Sequence, residues 1–212
     1  DENFEDKVLL SCLFQISFAL NYLQKHYSFT HNDLHINNVM YSHTTTKYLY
    51  YKLNNKYFRV PTYGKIFKII DFGRAIFTLK GKVFMNDVFS KNSEAWGQYD
   101  YPSQINFFKH KKSQLEIKTK PNYNFDLCRL SMTIIDEIHN HKIQSNLMKL
   151  LNKMCTDKFG KSYRDMDDNF NLYIKISENA TNAMPKEILE NKIFKSYRVT
   201  KKHFPSKSYY KN

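Results

Sequence analysis

Glycine and proline are scarce, five of each in 212 residues, and neither occurs before Pro61. Long uninterrupted elements are therefore expected, because these residues most often break helices and strands. Cysteine is thin as well. Cys12, Cys128 and Cys155 lie in apolar, helix-like surroundings without C-x-x-C spacing, which argues against a zinc framework or a disulfide scaffold and for buried free thiols. No apolar run approaches a membrane span and the N-terminus lacks a signal-peptide pattern, so a soluble, intracellular protein with no membrane partner is expected. Acids are outnumbered, 20 Asp and Glu against 33 Lys and Arg, for a formal charge of +13. Arginine hardly contributes, with only Arg59, Arg74, Arg129, Arg164 and Arg198. Together with 21 asparagines, this looks like the coding bias of an A/T-rich genome and inflates the charge without implying a function. From Lys192 onward there are seven Lys or Arg and no acid. No stacking or groove-reading motif accompanies them, so residues 201–212 are expected to be a solvated basic tail, with no nucleic-acid partner.

What is present fits one sizeable domain: 42% of residues are hydrophobic and 16% aromatic, enough to build a core. Leu9, Leu13, Ile16, Leu20 and Leu23 recur at helical spacing, with Leu10, Phe14 and Ser17 widening the stripe; this predicts one helix over 4–25. Two β-rich runs, 47–53 and 56–60, flank Asn54-Asn55, a pair that tolerates a tight hairpin turn. A polar, basic stretch containing Gly81, Gly97 and Pro102 runs to about Asn122. A helix nearly apolar all round is predicted over 124–139. An amphipathic stripe follows at Ile143, Leu147, Leu150, Leu151 and Met154, then a helical stretch at Phe170–Ile176. Pro185 is placed as the first residue of a last helix.

Two strings carry chemistry. His31-Asn32-Asp33-Leu34-His35-Ile36-Asn37-Asn38 is an H-x-D-x-x-x-x-N loop running into Val39-Met40-Tyr41, and Asp71-Phe72-Gly73 follows the apolar run 66–70. Asp33 offers a carboxylate that can accept the proton of an attacking hydroxyl. Asn38 and Asp71 offer an amide oxygen and a second carboxylate that can hold Mg2+ over the phosphates of ATP. Either string alone is weak to moderate; both in this order, each beside a strand-like run, are specific.

On these residues the chain resembles the protein kinase superfamily. The wording of the motifs is most similar to divergent serine/threonine kinases of giant DNA viruses (mimivirus-like), which would locate the protein in the host cytoplasm or the virion. The resemblance implies an α+β, mainly α fold: the helical C-lobe of a kinase over residues 1–200, with a small β-ribbon carrying the two motifs. It assigns 31–38 to the catalytic loop, 71–122 to the activation segment and 124–139 to the central helix; the connection 39–70 is longer than the short strand-turn-strand of a typical kinase, and its two β-rich runs are read as an inserted or extended hairpin on that ribbon. It further implies that Met40 and Ile70 line the floor of the nucleotide pocket. His31 and Phe72 form a stacked pair in that reading, Gly73 completes the metal-binding turn, and Asp126 bonds the backbone of the catalytic loop. The glycine-rich loop, strand lysine and helix glutamate of a kinase N-lobe do not fit before residue 31. The chain is therefore expected to be a piece lacking that lobe, and inert in isolation.

Two residues depart from the common kinase pattern. Asn32 stands where many protein kinases have arginine, which removes the cation that clamps a phosphorylated activation loop. His35 stands where serine/threonine kinases usually have lysine; haspin-like and small-molecule kinases also carry histidine variants of this loop. His35 is read as a hydrogen-bond donor to the transferring phosphate. The leading expectation is an ATP- and Mg2+-dependent kinase of protein Ser/Thr hydroxyls. The basic segment 74–122, with Lys109, Lys111 and Lys112, suits an acidic or phosphorylated protein substrate. A small-molecule phosphotransferase and a partner-binding pseudokinase are the alternatives, the second opposed by the retention of Asp33, Asn38 and Asp71.

Overall fold

A computed structural model describes residues 4–99, 120–138, 145–166, 170–206 and 209–211. The described residues are α+β, with helices and three small sheets among them. Helix α1 (Phe4–Tyr27) runs two residues beyond its predicted end. It stops at Ser28, whose positive φ of 49° and N–H bond to the Gln24 carbonyl (3.0 Å) close the last turn. Leu13, Phe14, Ile16, Ser17 and Leu20 are all buried, so α1 is enclosed on most of its circumference. Among the described residues no helix is long and apolar enough to cross a membrane.

Strands β1 (Val39–His43), β2 (Tyr48–Leu53), β3 (Lys56–Pro61) and β4 (Lys65–Ile69) follow. β1 and β4 pair antiparallel, Val39 opposite Ile69 and His43 opposite Lys65. The β2–β3 hairpin turns at Asn54, whose φ is 53°. It is inserted between the two strands of the β1–β4 ribbon but does not extend that ribbon, and belongs to a separate four-stranded sheet. The reason is its period-two pattern. Leu49, Tyr51 and Leu53 on β2 and Phe58 and Val60 on β3 are buried and form an apolar face of their own. That face packs on α1, where the Phe14 ring lies 5.3 Å from Tyr51 and 5.1 Å from Phe58.

The basic tail also departs from expectation. After β7 (Arg198–Val199), strand β8 (Tyr210–Lys211) pairs parallel with β2. Tyr210 stacks on Tyr51 at 5.1 Å, and Phe204 packs against Tyr50 and Tyr57. The aromatic residues between the lysines find apolar surface on the hairpin, while Lys201, Lys202 and Lys211 stay exposed.

Beyond the Asp71 turn, β5 (Phe77–Leu79) and β6 (Lys82–Phe84) form a short hairpin. A satellite core of Ile76, Met85, Phe89, Ala95 and Tyr99 lies under this segment. Pro102, Lys109, Lys111 and Lys112, and with them positions 100–119 of the expected activation segment, fall outside the described residues. So do His139 and Ile143. Helix α2 (Phe125–Glu137) is the central helix, buried at every position from Phe125 to Met132. Helices α3 (Ser145–Met154) and α4 (Phe170–Asn179) pack on it, and α5 (Pro185–Glu190), with Pro185 at its start, packs on α1. Leu147, Leu150, Leu151 and Met154 of α3 are buried, completing the predicted stripe where it is described.

Candidate active site

The loop 31–38 is fastened to α2 at both ends. Asp126 accepts the backbone N–H groups of His31 and Asn32, each at 2.9 Å. Two turns further along the same face, the Thr133 hydroxyl accepts the Ile36 N–H at 3.0 Å. Between these ties Leu34 is fully buried. Burial pushes the Asp126 carboxyl above its ordinary value, against the opposing pull of His31 and the two N–H donors. Thr30 and Ile76 exchange two backbone bonds at 2.9 Å, which joins the start of the loop to the chain just past Asp71-Phe72-Gly73.

The His31 ring Nε2 lies 2.9 Å from the Ile70 carbonyl; because a carbonyl only accepts, Nε2 carries the proton. The ring sits 5.5 Å from that of Phe72, tilted by 49°. Asn38 and Asp71 flank the same end of the β1–β4 ribbon, and the Ile70 N–H bonds the Asn38 carbonyl at 3.0 Å. The Asn38 amide nitrogen donates to the Asp33 carbonyl (2.9 Å) and to His35 Nε2 (3.1 Å). Its Oδ1 makes no hydrogen bond among the described residues. Asp71 adopts a positive φ of 60°, a strained setting for a residue with a side chain. One of its carboxylate oxygens accepts the Gly73 N–H at 3.3 Å, and a Cβ at Gly73 would lie 3.3 Å from that same oxygen. Gly73 therefore gives the Asp71 carboxylate its room. Met40, Ile70 and Phe72 stand open at this face, 54%, 38% and 52% exposed.

Asp33 faces a different environment. Tyr173 of α4 donates its hydroxyl to Oδ1 at 2.8 Å, and Arg74 Nη1 lies 3.9 Å from the same oxygen. Arg74 is also paired with Glu94. Although burial works against its charge, the carboxylates of Glu94 and Asp33 raise the Arg74 pKa above its ordinary value. Burial, opposed by Arg129, raises the Tyr173 phenol, which keeps it a hydrogen-bond donor. Asn32, fully buried with φ of 62°, is a hub. Its amide donates to Thr30 Oγ1 (3.0 Å) and the Arg74 carbonyl (2.9 Å), and its Oδ1 accepts the Tyr99 hydroxyl (2.9 Å).

Sequence reasoning did not find Arg74, Glu94, Tyr99, Thr133 or Tyr173. Thr133 had a signal: Asp126, Arg129 and Thr133 are polar residues at helical spacing on an otherwise apolar helix, marking the face that meets the loop. Arg74 directly follows Gly73 and supplies a cation beside Asp33 that Asn32 does not. Tyr173 lies 140 residues from Asp33 and carries no local mark.

No family model matches the chain. Over 95 residues it is 35% identical to the serine/threonine-protein kinase haspin of Bos taurus and 34% to that of Mus musculus. The aligned stretch is 45% of this chain and 12% and 13% of those two proteins, so the chain spans a small part of the relatives it matches. The alignments support a protein-kinase-like relationship.

Proposed function

We propose that this chain forms the catalytic-loop side of a serine/threonine protein kinase that uses ATP and Mg2+. The observation that carries the reading is the paired availability of two functional atoms. Asp33 Oδ2 and Asn38 Oδ1 make no hydrogen bond among the described residues, on a loop whose backbone is fastened to α2 through Asp126 and Thr133. In the reaction, the acceptor hydroxyl oxygen bonds the γ-phosphorus of ATP, the bond to the β–γ bridging oxygen breaks, and the hydroxyl proton passes to Asp33. His35 donates to the phosphate in transit.

Asn38 Oδ1 and the Asp71 carboxylate are hard oxygen donors of the type that Mg2+ takes. Among the described residues no three His, Cys, Asp or Glu side chains gather around a metal. With two protein oxygens, such a cation would draw its remaining ligands from phosphate oxygens and water. Bound there, Mg2+ would neutralise charge on the phosphates. The exposed Met40, Ile70 and Phe72 provide an apolar floor for the nucleotide, whose opposite wall must come from another segment or partner. The basic composition of residues 74–122 favours an acidic or phosphorylated protein substrate.

The test is transfer of radiolabelled γ-phosphate from ATP to a protein substrate by the full-length protein. Wild type is expected to transfer. Asp33→Asn is expected to be at least about 100-fold slower while remaining folded by circular dichroism. Near-normal transfer by the folded variant removes Asp33 from the reaction.

A further inference from the structure

The two oxygens of Asp33 are not equivalent. Oδ1 takes the Tyr173 hydroxyl at 2.8 Å and faces Arg74 at 3.9 Å, whereas Oδ2 has no hydrogen-bond partner among the described residues. Tyr173 has little freedom of its own. Its ring packs against Phe125 and Phe170, with centroids 5.8 and 5.9 Å away. The guanidinium carbons of Arg74 and Arg129 lie 5.5 and 5.3 Å from its centroid. Arg129 Nε also donates to the phenol oxygen at 3.4 Å. An arginine has no acceptor, so the phenol oxygen accepts there and its single proton points to Asp33. Arg74 is bound to Glu94 and stands off from Asp33 instead of closing a two-point pair that would cover both carboxylate oxygens.

We propose that Tyr173 is a positioning residue for phosphoryl transfer: its hydroxyl takes up Oδ1 of Asp33 and turns Oδ2 toward the acceptor hydroxyl. The inference rests on Asp33 being the base. A short carboxylate side chain otherwise samples several rotamers, and misplacement of a reacting group by about 1 Å can cost about 100-fold in rate. Helix α4 thus reaches the reacting loop through one phenol, anchored on the same central helix that anchors the loop.

The experiment is Tyr173→Phe in the full-length protein, assayed with ATP, Mg2+ and a protein substrate, alone and combined with Asp33→Asn. Phenylalanine keeps the ring and its packing and removes only the hydroxyl. The expected result is a fall in kcat of about 10- to 100-fold with an unchanged KM for ATP and an unchanged melting temperature. In the Asp33→Asn background the same change should cause no further loss. Wild-type kcat in Tyr173→Phe overturns the proposal, because packing alone would then be the role of the ring. An equal loss in both backgrounds overturns it too, since the hydroxyl would then act elsewhere. Radiolabel on Tyr173 itself would mark it as an acceptor and not a positioning group. If Asp33→Asn transfers normally, the assignment of Asp33 as the base falls first and the tyrosine's role with it; if Asp33→Asn is dead and Tyr173→Phe is normal, only the tyrosine's role falls.

Discussion

Two carboxylates at the site sit in opposite settings. Asp33 lies in a loop held by Asp126 and Thr133 and has one oxygen occupied by Tyr173. Asp71 sits at an exposed, positive-φ turn, and its one partner among the described residues is the Gly73 N–H at 3.3 Å. The first is preset by the fold, through buried donors and acceptors that must stay paired. In the proposed function the second is left for a ligand, and its positive-φ backbone is retained where the fold gains little from the side chain. On that reading, a preset base and an open ligand position are supplied by two different carboxylates of one site.

That separation can be broken by mutation. Asp71→Asn is expected to reduce phosphotransfer by about two orders of magnitude or more and to shift stability by no more than about 0.5 kcal/mol; parallel kinase assays and thermal melts check both. A large loss of stability would show that the turn is structural. Asp126→Ala leaves two buried N–H groups without an acceptor and should cost about 2–4 kcal/mol in urea unfolding. A loss under about 0.5 kcal/mol would mean that the loop is held by other means. Asn32→Ala removes the amide that bonds the Arg74 carbonyl and the oxygen that accepts the Tyr99 hydroxyl, for about 1–3 kcal/mol by the same measurement. Glu94→Ala removes a pair whose acid is largely exposed, 68% for the side chain, and should change stability by less than about 1 kcal/mol. Its visible effect should be closer pairing of Arg74 with Asp33 in a crystal structure of the variant.

The buried side of the molecule should also show in alkaline pH dependence. Burial pushes the Cys155 thiol up to about 12, with Arg164 pulling the other way. A raised folded pKa means that its contribution to stability is complete below the unfolded thiol value of about 8.5 and is lost as pH rises toward the folded value. Urea midpoints are therefore expected to fall above about pH 9, and less steeply for Cys155→Ala. An unchanged slope in that variant would place the titration elsewhere.

The parts of this architecture set by local pattern were readable from sequence. The α1 stripe, the Asn54 turn and Pro185 at a helix start are each fixed by residues within a few positions of one another. What could not be read depended on where apolar faces meet. Leu49, Tyr51 and Leu53 announce a strand with one buried face, but not that the face lies on Phe14 instead of continuing the ribbon. Phe204 and Tyr210 are diluted by lysines, so the tail looks solvated until the hairpin supplies a surface. The same holds at the site. The spacing of the two motif strings pointed to Asp33, Asn38 and Asp71, whereas the contact of Tyr173 with Asp33 is a product of tertiary packing alone.

The central claim is that Asn38 and Asp71 share one divalent cation with bound nucleotide beside a base that the fold has already oriented. Paramagnetic broadening by Mn2+ in the isotope-labelled full-length protein with ATP tests it directly. The account predicts selective loss of the Asn38 side-chain amide and Asp71 signals on adding Mn2+ with ATP, abolished in Asn38→Ala and Asp71→Asn. Broadening centred on other residues, or unchanged in those two variants, would contradict it.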